Sequence, residues 1–134
     1  MTPFKLKIVT PDGLIFDGEA EELIVRTTRG DVAILARHIN YVSPLGMGRA
    51  VVVSEGKRRT AACIGGMLSV VNGEVTLVPT TFEWSDRIDL DRVESSLKRA
   101  EKVMNNQKST DQEIAMAQAR LHRALVRKSA ASYK

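Results

Sequence analysis

Arginines recur along the last third of this 134-residue chain at intervals that return them to one helix face. Arg92 and Arg99 are seven residues apart, as are Arg120 and Arg127, and a seven-residue step is close to two helical turns. Guanidinium groups facing one another from two helices hold phosphate oxygens through charge-assisted, bidentate bonds. The same spacing also describes a solvated face laced with salt bridges, and the sequence leaves both readings open. Other chemistry is thinly represented. His38 and His122 stand far apart with no companion cysteine or carboxylate cluster, which argues against zinc. The lone cysteine, Cys63, lies among Ala61, Ala62 and Ile64 and reads as a small buried apolar residue. Neither a G-x-S-x-G elbow nor a G-x-x-x-x-G-K-[ST] phosphate loop occurs. No catalytic residue is expected, no metal and no required cofactor.

The elements that must position these side chains fall into two parts. Across residues 1–85 the nine Lys/Arg balance nine Asp/Glu, whereas residues 86–134 carry eleven against seven, so the net charge of +4 belongs to the second part. Phe4, Leu6 and Ile8 alternate with Lys5 and Lys7, the period of a half-buried strand. Thr10-Pro11-Asp12-Gly13 supplies a turn, Asp17-Gly18 a break after Leu14 to Phe16, and Arg29-Gly30-Asp31 another turn after the alternation of Leu23, Val25 and Thr27. Arg37 to Met47 is irregular. Glu55-Gly56-Lys57 and Asn72-Gly73 read as hairpin turns, and Gly65-Gly66 as a bulge or a close backbone approach. Strands this short and turns this frequent predict an antiparallel β-sandwich over 1–85, closed by Pro79.

From Ser85 the period changes. Leu90, Val93, Leu97, Ala100 and Met104 form one apolar stripe, with Asp86 or Asp89 as its cap. Thr110 and Glu113 match a capping box that opens a second stripe of Ile114, Ala117, Leu121, Ala124 and Leu125. An antiparallel two-helix hairpin over 86–134 follows, marginal on its own because a lone pair of helices buries little surface. No stretch is long and apolar enough to cross a bilayer or to serve as a secretory signal, so any membrane association is expected through partners. A basic nucleic-acid-binding module is the alternative to a protein-docking subunit. It is disfavoured by the neutral first part and by aromatics confined to isolated positions such as Trp84 and Tyr133.

Taken in order, Ile8-Val9-Thr10-Pro11, Gly30-x-x-x-Ile34-Leu35-x-x-His38, Gly65-Gly66-x-Leu68-x-Val70, Val75-Thr76-Leu77 and Ile88-Asp89-x-x-Arg92 run nearly end to end. In their order and spacing, the chain resembles the epsilon subunit of bacterial F-type ATP synthases. The resemblance implies a non-catalytic sandwich on the central stalk, bound to the gamma subunit and the c-ring. It also implies a hairpin that either folds onto the sandwich or extends towards the alpha and beta catalytic subunits and restrains ATP hydrolysis. It implies a peripheral location on the cytoplasmic face of the membrane, and partner contacts at Thr10, Asp31, His38, Ser43, Gly65 and Gly66, with Asp31 towards the c-ring. Some members bind ATP as a regulatory ligand through an Ile/Leu-Asp-x-x-Arg-Ala motif and further arginines; the matching residues are Glu83, Ile88, Asp89, Arg92, Arg99, Arg123 and Arg127. The chain departs from the pattern at Ala33, Ala36, Asn40 and Ser69, and Val93 replaces the alanine of the motif.

Overall fold

The computed structural model describes residues 2–133. Eight strands come first: β1 (Phe4–Thr10), β2 (Gly13–Ala20), β3 (Glu22–Thr27), β4 (Gly30–Ile34), β5 (Tyr41–Pro44), β6 (Met47–Ser54), β7 (Lys57–Val71) and β8 (Glu74–Trp84). A single 3-10 turn (Ser85–Arg87) leads to α1 (Leu90–Asn105) and α2 (Asp111–Ala131). The strands pair in the order β2-β1-β8-β7-β6-β3-β4, with β5 on the second half of β7. All pairs are antiparallel except β1 with β8, which run parallel.

One sheet becomes two layers because β7 and β8 are long and change the face they turn inward. In β7 the core residues are Ala61 and Cys63, then Leu68 and Val70; in β8 they are Val75 and Leu77, then Phe82. Strand side chains alternate with period two, so this change of parity reverses which face looks inward. The reversal falls at Gly65-Gly66, whose φ angles are +67° and +101°. A Cβ on Gly66 would lie 2.0 Å from the Val78 carbonyl oxygen and 2.6 Å from Pro79 Cα, so the pair is a close backbone approach. It is not a bulge, because Ile64↔Thr81 and Gly66↔Pro79 keep one register. The turn at Asn72-Gly73 has φ of +51° and +82°, the two left-handed residues that a tight hairpin needs.

Several turn assignments are corrected. Asp17-Gly18 does not interrupt β2, which pairs with β1 through Leu6↔Gly18 and Lys7↔Asp17. The turn before β4 is Thr28-Arg29, and Gly30 already pairs with Thr27. Pro79 does not close β8. The β1 ladder ends at Ile8↔Leu77, so beyond it β8 has no neighbour on that side, and a residue without an N–H costs no ladder bond there. The irregular stretch contains β5, whose partner lies about 25 residues further along, in β7.

The helices begin where their caps dictate. Asp89 Oδ1 accepts from Arg92 N at 3.2 Å. Thr110 Oγ1 accepts from Glu113 N, and Glu113 Oε1 from Thr110 N, both at 3.1 Å; each such cap contributes about 1 kcal/mol. The hairpin lies on the sandwich through a second apolar cluster, separate from the core. Val93, Leu97 and Ala124 join Val126, Ala130 and Ala131 against Ala62 and Ile64 of β7, with Met47 at the edge. Leu125, assigned to the apolar stripe, is instead 48% exposed, one residue away from the face that α2 turns to the head.

Candidate functional site

The β8 strand carries Glu83 to the edge of the sheet nearest the hairpin, and the 3-10 turn then places Ile88 and Asp89 at the start of α1. From there α1 and α2 run side by side. A groove of about 370 Å³ opens where these three elements meet, lined by Glu83, Arg87, Ile88, Asp89, Arg92 and Arg127 together with Val93, Ser96 and Ala124. Arg127 Nε donates to Glu83 Oε1 at 2.6 Å, joining α2 to β8 across 44 residues of sequence. Lys128 Nζ lies 3.0 Å from Glu94 Oε1 and ties α2 to α1. Tyr133 seats its ring 4.1 Å beneath the Arg49 guanidinium of β6, a third tie near the chain's end.

Five of the seven residues matched to the ATP-binding pattern therefore line one groove: Glu83, Ile88, Asp89, Arg92 and Arg127. Arg99 stands two turns further along α1, in an adjoining groove that shares Ser96. Arg123 lines neither groove, although it is on α2 between Arg120 and Arg127. Ile88 is 4% exposed and Val93 5%, an apolar floor beneath cationic walls. The sequence reading overlooked Arg87 and Ser96. Ser96 was accessible from spacing alone, since it is four residues after Arg92 and three before Arg99.

The residues assigned to partner contacts lie on the sandwich, away from this groove. Thr10 is 7% exposed; its Oγ1 donates to Gly13 O at 3.3 Å and accepts from Asp12 N at 3.2 Å, shaping its own turn. Asp31 pairs with Arg26 at 2.8 Å on the exposed β3–β4 hairpin. His38 Nδ1 lies 2.8 Å from Ile39 O and its ring meets Tyr41 edge-on. Ser43 is 5% exposed, and its hydroxyl donates to Pro44 O at 3.1 Å. Its neighbours carry the surface there. Val42, Met67, Val71 and Val78 all point outward from β5, β7 and β8, between 42% and 62% exposed. The register aligns Met67 with Val78 and with Pro44. Exposed apolar side chains gathered on one face of a sheet are what a docking surface requires.

Burial pushes the Cys63 thiol up to about 12, which keeps it protonated and unreactive. Among the described residues no three His, Cys, Asp or Glu side chains gather as a metal-ligand set. No described helix is long and apolar enough to cross a membrane.

These features define a class: an attachment head of two β-layers, with a cationic helical hairpin folded over one end. The chain belongs to the ATP synthase delta/epsilon chain family. Residues 3–85 match its beta-sandwich domain and residues 86–132 its long alpha-helix domain. It is 39% identical over 135 residues to the ATP synthase epsilon chain of Ruminococcus albus, covering 100% of both chains. With that of Shouchella clausii the identity is 33% over 134 residues, covering 100% of this chain and 98% of the relative. Membership makes it a non-catalytic chain of the synthase. Its fold is shared with a chain in the OSCP/F1/c-ring structure of Euglena gracilis mitochondrial ATP synthase (TM-score 0.85, 21% identity, 97% of this chain and 82% of that one). It is also shared with one in the central stalk/c-ring structure from Tetrahymena thermophila (TM-score 0.60, 14% identity, 95% of each chain).

Proposed function

We propose that this chain is a central-stalk regulator: its sandwich attaches to the rotor, and its hairpin restrains ATP hydrolysis when extended and binds ATP when folded down. The attachment half is supported by the outward apolar strip of Val42, Met67, Val71 and Val78, which fits the gamma subunit. The turn carrying Asp31 fits the c-ring. The family resemblance assigns Thr10, His38, Ser43, Gly65 and Gly66 to the same contact, with Ser43, buried and bonded to Pro44 O, acting through the shape of β5. Attachment to the c-ring would bring the chain to the cytoplasmic face of the membrane through its partners.

The observation that carries the regulatory half is the groove itself. It is built from all three elements that must part when the hairpin leaves the head: Glu83 from β8, Asp89 and Arg92 from α1, and Arg127 from α2. A ligand bound there gains contacts that exist only in the folded-down form, and it shifts the equilibrium towards that form by mass action. Ile88 and Val93 offer an apolar seat to a purine. Asp89, whose Oδ1 caps α1, retains a second oxygen to accept from an exocyclic amino group. Arg92 and Arg127 supply guanidinium groups for phosphates from the groove itself, and Arg99 from the adjoining one; Arg123, on the same helix as Arg127, would have to turn its side chain towards them. With the groove empty the hairpin is free to extend, and its cationic face suits acidic surfaces on the alpha and beta catalytic subunits.

The test is ATPase activity of the reconstituted complex with the full chain and with a chain lacking residues 86–134, across ATP concentrations. Truncation is expected to activate hydrolysis, by an amount that shrinks as ATP rises. Equal activity of the two complexes would overturn the inhibitory role. Isothermal titration of the full chain showing no heat at millimolar ATP would overturn the ligand. For the docking face, His38→Cys is expected to crosslink to gamma, and absence of a crosslink under every nucleotide condition would count against that surface.

A further inference from the structure

The loop from Leu35 to Asn40, between β4 and β5, is held by few bonds of its own. Within it, His38 N donates to Leu35 O at 3.3 Å, and His38 Nδ1 lies 2.8 Å from Ile39 O. Arg37 sits at φ +65°, a left-handed conformation that a residue bearing a Cβ adopts only at a cost. Ile39 is 76% exposed, more than any other large apolar side chain among the described residues. Among the described residues, a single side-chain hydrogen bond ties this loop to another element: Asn72 N donates to Asn40 Oδ1 at 2.8 Å, across 32 residues of sequence. Asn72 is the first central residue of the β7–β8 turn, and its N–H falls outside the ladder, whose last pair is Val71↔Glu74. Without Asn40 that donor is left to water.

We propose that Asn40 is a positioning residue for attachment: by holding the β4–β5 loop to the β7–β8 turn, it presents Ile39 as a further apolar contact for the gamma subunit. This rests on the attachment reading above and adds to it a contact residue and the bond that presents it. The register sets Tyr41 opposite Val70 and Val42 opposite Ser69, so one step further Asn40 stands opposite Val71. The bond therefore fastens the loop to the end of β7 that carries Val71, 48% exposed. Ile39 is thereby added at the end of the strip that Val42 and Val71 begin. The His38 ring, edge-on to Tyr41 with centroids 5.9 Å apart, braces the same loop against β5. A loop already fixed loses less conformational freedom when a partner closes over it. Asn40 thus raises affinity without itself having to touch the partner.

The experiment measures gamma-subunit affinity by biolayer interferometry for the full chain and for Asn40→Ala, Asn40→Asp, Ile39→Ala and the double variant carrying both alanines. Urea midpoints and amide exchange by nuclear magnetic resonance accompany it. Ile39 and Asn40 are exposed, so the midpoints are expected to stay near wild type. Asn40→Ala should expose the Asn72 amide to exchange and weaken gamma binding about threefold to fivefold, the net scale of one hydrogen bond. Asn40→Asp keeps an acceptor oxygen and should restore most of both. Ile39→Ala should weaken binding about tenfold, and in that background Asn40→Ala should add little. Equal affinity of Asn40→Ala and wild type, a loss that Asn40→Asp does not rescue, or additive losses in the double variant overturns the positioning role while leaving attachment standing. If the wild type does not bind gamma, the attachment reading itself fails and this inference falls with it.

Discussion

Ile64→Ala separates the hairpin from the head with a single side chain. Ile64 is 7% exposed, but it belongs to the cluster under the helices and not to the sandwich core. Its backbone pairing to Met47 and Thr81 survives the change. The head offers the hairpin little else that is apolar, chiefly Ala62 with Met47 beside it. Removing a buried isoleucine to alanine costs about 2–5 kcal/mol; because Val126 and the alanines of α2 can settle into the gap, about 3 kcal/mol is the reasonable figure. The Arg127–Glu83 pair does not offset such a loss, since side chains 28% and 35% exposed, respectively, contribute on the order of 1 kcal/mol or less. The docking equilibrium should therefore move by on the order of a hundredfold. Amide exchange followed by mass spectrometry reads this directly. Peptides spanning 90–131 should lose protection by that factor while β1 and β8 keep theirs, and excess ATP should restore part of the loss. If the strands lose protection in step with the helices, head and hairpin unfold as one unit, and the idea of a separately movable hairpin is refuted.

Gly66→Ala should destabilise the sandwich by at least about 3 kcal/mol, through a left-handed φ and a methyl driven onto the Val78–Pro79 backbone; a urea midpoint close to wild type would refute the close approach. Cys63 should resist thiol reagents at pH 8 until the protein is unfolded. Its folded pKa lies near 12 against an ordinary 9.0, so the unfolded chain releases the proton first and stability should fall as pH rises through that interval; rapid labelling of the native protein would contradict the burial. Glu113 has its pKa held below the ordinary 4.5 by the backbone and side-chain hydrogen bonds of Thr110. Its contribution is present above the ordinary value and is lost as pH falls through the depressed one. Titration by nuclear magnetic resonance should show a low midpoint that returns only part of the way towards 4.5 in Thr110→Val, because the backbone N–H of residue 110, the larger cause, remains; an ordinary midpoint in the wild type would refute the cap.

What could be read from the sequence was what neighbouring residues decide among themselves. Phe4, Leu6 and Ile8 alternate, and the strand alternates with them; Asn72-Gly73 makes a tight turn wherever it occurs; Thr110 and Glu113 cap each other three residues apart. The misreadings have a common origin in partners distant along the chain. Gly18 and Pro79 look like breakers. Gly18 is nevertheless paired by Leu6, and Pro79 is tolerated because β1 has ended before reaching it. Tyr41 to Pro44 has no pattern of its own and becomes a strand only because β7 runs past it. Leu125 fits a helical stripe by spacing, yet the direction in which α2 meets the head selects Val126, Ala130 and Ala131 instead.

The candidate site obeys the same rule, and this bears on how it would work. Spacing along α1 and along α2 placed arginines on a face of each helix, but only the fold brings Arg127 to Glu83 and Arg120 across from Arg99. A site assembled from residues this distant exists only while the elements are together. Cations gathered with too few acids repel one another, which weakens the docked hairpin while the grooves between the helices are empty. A polyanion that relieves the repulsion gains its binding energy from the contacts that hold the hairpin down. Under the proposed reading ligand binding and hairpin position form one equilibrium, so a substitution that stabilises the docked hairpin without touching the ligand must also tighten apparent ligand binding.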